Sequence, residues 1–213
     1  MLKKLIPAYL LTLVNTLGVT VLVPVLPFIV EDYNAADWVY GLLLSLYALF
    51  EFFGAPILGE LSDRYGRKPI LIVSQIGTLF SWVVFLIALH LPAYWFLGFA
   101  LPLWVIFLSR VIDGITGGNT AVTNAYVSDI TSTKEKSKIF GYIGGISGVG
   151  MIFGPVIGGL SASSVFGHAG AIYAAIIISS ITLVSMLLWL EESLPKEERV
   201  VAPKSSLIDK LNL

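Results

Sequence analysis

The sequence predicts an all-α integral membrane protein of six transmembrane helices. Three observations carry that prediction. Hydrophobic residues make up 56% of the 213 and charged residues 13%, against roughly a quarter charged in a soluble domain. Mean hydropathy is +0.87. Six apolar stretches, at about 5–30, 38–59, 69–91, 98–128, 139–162 and 170–191, each reach the roughly 20 residues that a helix needs to cross a bilayer core. In lipid a helix satisfies its own backbone groups, so runs of this length read as helices.

Lysine and arginine set the orientation. Lys3 and Lys4 precede the first stretch, and Arg64, Arg67 and Lys68 follow the second. Lys134, Lys136 and Lys138 follow the fourth, and Lys196, Arg199, Lys204 and Lys210 follow the sixth. Of the 13 basic residues, that leaves Arg110 inside a stretch. The loops EDYNAAD, HLPAYW and SSVFGHAG hold none. The positive-inside rule then puts both termini of this multi-pass chain in the cytoplasm, in a plasma or inner membrane. The net charge of −1 gives no reason to expect nucleic acid. The lack of cysteine excludes thiolate metal sites and disulfides.

The first stretch is too long for a signal peptide, and no small-residue cleavage pattern follows it. The second contains Glu51, with Tyr47 one turn away and no cation nearby in sequence. Charge in a membrane core normally faces a bundle interior or a watered cavity. Glu51 is either an acid hydrogen-bonded to a neighbouring helix or a group that takes up and releases protons. Between the second and third stretches lies GELSDRYGRKPI, residues 59–70, with Glu60, Asp63, Arg64, Arg67 and Lys68 close together. It reads as a loop, either merely solvated or a working part.

In the fourth stretch Arg110 and Asp113 are three apart, so they share a helix face that Gly117, Ala121 and Asn124 continue. They either neutralise each other or line a cavity. The fifth stretch, GYIGGISGVGMIFGPVIGGL, repeats glycine at four-residue spacings. Small residues let helix backbones approach closely in lipid. Pro155 removes a backbone hydrogen bond and bends the helix. This span is tightly packed, bendable beside a moving interface, or both. The sixth stretch completes a bundle over residues 1–192. Residues 193–213, SLPKEERVVAPKSSLIDKLNL, read as the start of a cytoplasmic linker.

Two stretches are alike. FFGAPILGELSDRYG in the second resembles IFGPVIGGLSASSVFG in the fifth. Under this topology they run oppositely, as the middle helices of two inverted three-helix repeats, a transporter signature. Enzyme chemistry has no foothold: His90 and His168 lack metal-ligand spacing, and neither a nucleophile–base set nor a phosphate loop is present. No cofactor or metal is expected.

These segments carry a resemblance. Gly59 to Pro69 looks like the signature loop of the major facilitator superfamily. Arg110 with DGITGGN resembles its fourth-helix motif. Gly150, Gly154, Pro155, Gly158 and Gly159 match its fifth-helix antiporter motif. Asn15 with TLGVTVLVPVLP resembles the first-helix motif of the drug–proton antiporter branch, which includes the tetracycline exporters. The resemblance covers the chain to about residue 195 and implies one half of a major facilitator fold.

The resemblance also implies roles. The 59–70 segment would be a conformational latch. Asp63 would meet a helix end of the opposite half, and Arg67 would pair with Asp129. Gly59 permits close packing, Gly66 a tight turn, and Pro69 sits where its missing N–H costs nothing. Arg110, Asp113 and Asn124, with Asn15 and Glu51, would line a cavity for substrate and protons. Two departures matter. The branch usually has an aspartate where Asn15 stands, and an amide carries no proton, which leaves Glu51 and Asp113 as coupling acids unless the acid lies outside this chain. The superfamily has two six-helix halves and this chain supplies one. The second half is expected from the same polypeptide, a second copy or a separate chain.

The implied function is proton-coupled export of small organic, drug-like molecules by alternating access. Metabolite uptake by a related facilitator, or a half-size non-transporting scaffold or regulatory homologue, are the alternatives.

Overall fold

The computed structural model describes residues 2–199, with side chains from Leu5 onward. The element order is α1 (Leu2–Thr20), α2 (Leu26–Asp32), α3 (Trp38–Tyr65), α4 (Arg67–Ala88), β1 (Trp95–Phe96), β2 (Phe99–Ala100), α5 (Leu101–Gly117), α6 (Asn119–Ile130), α7 (Thr133–Ala162) and α8 (Ala169–Trp189). Five helices are long and apolar enough to cross a membrane: α3, α4, the continuous run Leu101–Ile130, α7 and α8. The first expected stretch is an apolar helix interrupted at residues 21–25 and resumed as α2. Pro24 and Pro27 lack the N–H groups a continuous ladder needs there. Helical bonds from Val21 N to Leu17 O (2.8 Å) and Leu26 N to Leu22 O (2.8 Å) carry the chain across the interruption.

One sequence expectation is corrected. The 59–70 segment is not a loop. Gly59–Tyr65 forms the last turns of α3, and only Gly66 separates them from α4. Nothing in GELSDRY stops a helix before Gly66, whose φ of +104° is open to glycine and strained for other residues. The helical fold carries one short hairpin in a connection between helices. HLPAYW leads into a hairpin that pairs Trp95 with Ala100 and Phe96 with Phe99. Leu97 (φ +48°) and Gly98 (φ +85°) turn it, the backbone of a two-residue turn that matches strand twist. Aromatic side chains favour strands, and Phe99 packs edge-on against Trp38, Trp104 and Phe107 at 5.7–5.9 Å.

The main packing pairs are α3 on α5 and α1 on α7, with α4 set between α5 and α8. Glycines permit both close pairs. A Cβ at Gly54 would overlap the Ile115 backbone, and one at Gly118 would overlap the backbone at Gly54 and Ala55. On the other side a Cβ at Gly154 would overlap Thr20, and one at Gly158 the Val21 carbonyl. Exchanging the first three spans for the last three converts one pair into the other. Two apolar clusters form the core. One gathers Leu22, Val25, Leu43, Phe85, Leu103 and Ile172. The other gathers Leu5, Leu11, Leu71, Val122, Tyr126 and Met186. A layer of buried polar side chains, among them Ser74, Gln75, Ser81 and Asn119, adds hydrogen bonds between helices.

Candidate functional site

The close approach of α3 and α5 builds a charged pocket. Arg110 and Asp113, 2% and 3% exposed, form an ion pair of 3.0 Å one turn apart on α5. Ser81 Oγ on α4 donates to the other Asp113 oxygen at 3.2 Å. The guanidinium lies 4.6 Å above the Trp82 ring and 5.2 Å from that of Phe85, contacts that favour a desolvated cation. Arg110 Nε and Nη2 have no hydrogen-bond partner among the described residues. Arg110 also lines a cavity of about 280 Å³ whose wall includes Leu22, Leu43, Tyr47 and Glu51. Glu51 is half-buried and forms no ion pair among the described residues. The pocket thus combines an apolar wall with one arginine and one separate carboxyl.

Asn15 and Asn124 sit elsewhere. They line a second cleft of about 140 Å³ between α1, α6 and α7, with Thr12, Thr16, Thr120 and Thr123. Asn124 was expected on the Arg110 face. It lines this cleft on α6, which follows α5 after Gly118 within the same run.

A hydrogen-bonded row links the two places. Asn15 Nδ2 donates to Asn119 Oδ1 (2.6 Å), and Asn119 Nδ2 to Ser74 Oγ (2.6 Å). Ser74 Oγ donates to Thr116 O (2.7 Å). Thr116 Oγ1 donates to Ile112 O (2.9 Å), so Thr78 Oγ1 is the donor in its 3.1 Å bond with Thr116 Oγ1. Ser81 bonds Thr78 O (2.7 Å) and reaches Asp113.

Side chains from the end of α3 and the end of α6 gather around Arg67. Arg67 pairs with Asp63 at 2.6 Å and with Asp129 at 3.2 Å, and donates to Ser62 Oγ at 2.6 Å. The segment after α8 joins them. Glu192 Oε1 accepts the backbone N–H of Arg67 (2.8 Å), the first residue of α4, where a helix leaves its donors open. Ser193 Oγ donates to Asp129 (3.0 Å), and Arg199 lies 3.5 Å from Glu192. An added Cβ at Gly59 would meet nothing among the described residues, so no packing there requires that glycine. In α7, Gly150, Gly154 and Gly158 face α1, whereas Gly159 meets open space. Pro155 is half-buried, and α7 runs through it as one helix.

Sequence reasoning missed Ser74, Thr78, Ser81, Asn119 and Glu192. The first three stand at i, i+4 and i+7 on one face of an apolar helix. That polar stripe was a readable signal. Asn119 closes the DGITGGN motif, but its partner Ser74, like Glu192's partner Arg67, lies more than 40 residues away and could not be named.

Comparison with known proteins supplies the context. The family model of the Major Facilitator Superfamily matches residues 8–210. The class H tetracycline resistance protein of Pasteurella multocida is 37% identical over 206 residues, 95% of this chain and 48% of that protein. The class B tetracycline resistance protein of Escherichia coli is 34% identical over 189 residues, 87% of this chain and 44% of the relative. Multidrug resistance protein 2 of Bacillus subtilis is 31% identical over 185 residues, covering 86% and 42%. The crystal structure of the human organic anion transporter MFSD10 superposes with a TM-score of 0.74 at 25% identity, over 92% of this chain and 49% of that one. The chain spans less than half the length of these relatives. It belongs to the Major Facilitator Superfamily, whose members matched here are transporters and not enzymes, and it is similar to the N-terminal half of the drug–proton antiporter branch.

Proposed function

We propose that the chain is the N-terminal six-helix half of a secondary transporter that exports small organic, drug-like molecules in exchange for protons. The observation that carries this reading is the buried Arg110–Asp113 pair at the wall of the cavity that also holds Glu51. Removing charges from water costs several kcal/mol per ion, and intramembrane charges mark substrate and ion pathways. Similarity to tetracycline and multidrug resistance proteins favours export of organic solutes.

In this reading the interrupted run α1–α2 is the first of six spans, and the packing of α3 on α5 and of α7 on α1 supports two inverted three-helix repeats. Both termini are cytoplasmic, which puts Asp63, Arg67 and Asp129 on the cytoplasmic side. Asp63, paired with Arg67, is the most exposed member of that cluster, its side chain 45% accessible, and is the one placed to meet a helix end of the second half. Glu51 and Asp113 are the acids within this chain that can exchange protons. Substrate and proton shift the inward–outward equilibrium only as far as they bind the two states differently.

Everted vesicles from the native membrane provide the test. A lumen made acidic should drive an amphipathic dye inward, and a reversed gradient should release it. Arg110→Ala, present at normal abundance, should abolish that flux. Undiminished flux in Arg110→Ala overturns the assigned site. Flux of opposite sign points to uptake, and no gradient-driven flux points to a non-transporting homologue.

A further inference from the structure

The cleft between α1, α6 and α7 has a hydrogen-bond polarity dictated by the backbone behind it. The Thr116 carbonyl lies in the last turn of α5, where it accepts from the Gly118 N–H and has a second lone pair to offer. Ser74 Oγ donates its single proton to that carbonyl at 2.7 Å. With that proton committed, Ser74 can only accept, and Asn119 presents its Nδ2 to it at 2.6 Å. Asn119 must then turn Oδ1 toward α1, where it accepts from Asn15 Nδ2 at 2.6 Å. The Asn15 amide is thereby oriented. Its nitrogen points to Asn119, and its Oδ1, bonded to nothing among the described residues, is left for the cleft it lines.

The hydroxyls around Asn15 are committed in the same sense. Thr12 donates to Ala8 O (2.9 Å), Thr16 to Thr12 O (3.0 Å), Thr123 to Asn119 O (3.0 Å) and Thr120 to Gly117 O (3.4 Å). A hydroxyl has one proton and two lone pairs, and back-bonding to its own helix leaves only lone pairs facing outward. Four hydroxyls and one amide carbonyl therefore offer acceptors around one small space. Asn124 and Ser147 make no hydrogen bond to the described residues and can turn either way, and Ile143 adds an apolar wall. No carboxylate lines the cleft.

We infer that this cleft is a recognition subsite for hydrogen-bond donors, taking an ammonium, amine or hydroxyl group of an organic solute and refusing carboxylates and other anions. An anion would set its oxygens against the Asn15 carbonyl and four hydroxyl lone pairs, with only Asn124 and Ser147 able to donate to it. The inference deepens the transporter reading and rests on it for its physiological meaning, but the selectivity itself is a property of binding. Asn119 and Ser74 serve as positioning residues, because they act on the ligand only through the orientation of Asn15.

Equilibrium binding to the purified chain in lipid nanodiscs tests this with two matched probes. Benzylammonium and benzyltrimethylammonium share charge and ring and differ in N–H donors. Benzylammonium should bind about tenfold more tightly, a ratio of the size that one to two net hydrogen bonds provide. Asn15→Leu and Thr16→Val should each bring the ratio toward one, with the thermal midpoint reporting that each variant is folded. Ser74→Ala should do so too without altering the cleft wall, since it frees the amide pair to turn over. Equal affinities overturn the inference. So does a preference that survives both Asn15→Leu and Thr16→Val, failure of benzylammonium to bind, or sodium ion binding in preference to benzylammonium. Flux in vesicles is read separately. Absent flux with the preference intact removes the transporter reading alone, and equal affinities with normal flux remove the subsite alone.

Discussion

Arg110 Nη1 stands 3.0 Å from Asp113 Oδ2, with the guanidinium lying over the Trp82 ring. Both charged groups are nearly sealed from solvent. Removing one partner strands the other. Asp113→Ala is expected to lower stability by about 3–5 kcal/mol, the usual cost of an uncompensated buried charge. The double variant Arg110→Met, Asp113→Leu should recover most of that loss and still lack flux. Thermal unfolding in detergent beside vesicle flux separates the structural role of the pair from its functional one.

Arg67 is held from three directions, by Asp63, by Asp129 and, through its backbone, by Glu192. Glu192→Gln keeps the size of the acceptor and removes its charge from a helix N-terminus. A loss of about 0.5–1 kcal/mol is expected. Amide exchange at residues 67–69 should quicken more than exchange elsewhere in α4. Unchanged exchange there would show that the contact is incidental.

Glycines in α7 should divide sharply. Gly150→Ala and Gly154→Ala push a methyl into Thr16 and Thr20 and should cost about 1–3 kcal/mol. Gly144→Ala and Gly145→Ala meet open space within this chain. They should be neutral or stabilise by up to about 1 kcal/mol, as alanine does in a helix. Melting temperatures of the four variants decide the matter, and a uniform response would contradict the packing of α1 on α7.

The hairpin holds Leu97 at φ +48°, a conformation uncommon outside glycine and asparagine. Leu97→Asn should stabilise by a few tenths to about 1 kcal/mol, since asparagine accepts this turn readily. The side chain is 74% exposed, so no packing is lost. A lower melting temperature would show that Leu97 has a contact outside the described residues.

Local signals were legible and distant ones were not. Hydropathy placed the apolar runs, because length and composition alone decide what can cross lipid. The ends were misjudged where hydropathy falls before the helix does. Glu60, Asp63 and Arg64 end the apolar run, but α3 continues to Tyr65. Arg110 and Asp113 could be paired in advance because three residues along a helix fixes their distance. Asn124 could not be placed, because the cleft it lines is closed by Asn15 of α1 and Ser147 of α7, which spacing along one helix does not locate. Spacing could not tell Gly150 from Gly145 either. Which glycine is packed depends on where Thr16 and Thr20 of α1 arrive.

The clasp at Gly66 also has a mechanical consequence. Glu192, Ser193 and Arg199 tie the chain leaving α8 to the start of α4 and the end of α6. A pull applied beyond residue 199 is therefore not delivered first to α8, the helix it follows in sequence. It loads the junction of α3 and α4, about one residue of free backbone wide, at a point with little slack. The exit of the chain is a tether anchored at the junction of α3 and α4, through the Arg67 backbone.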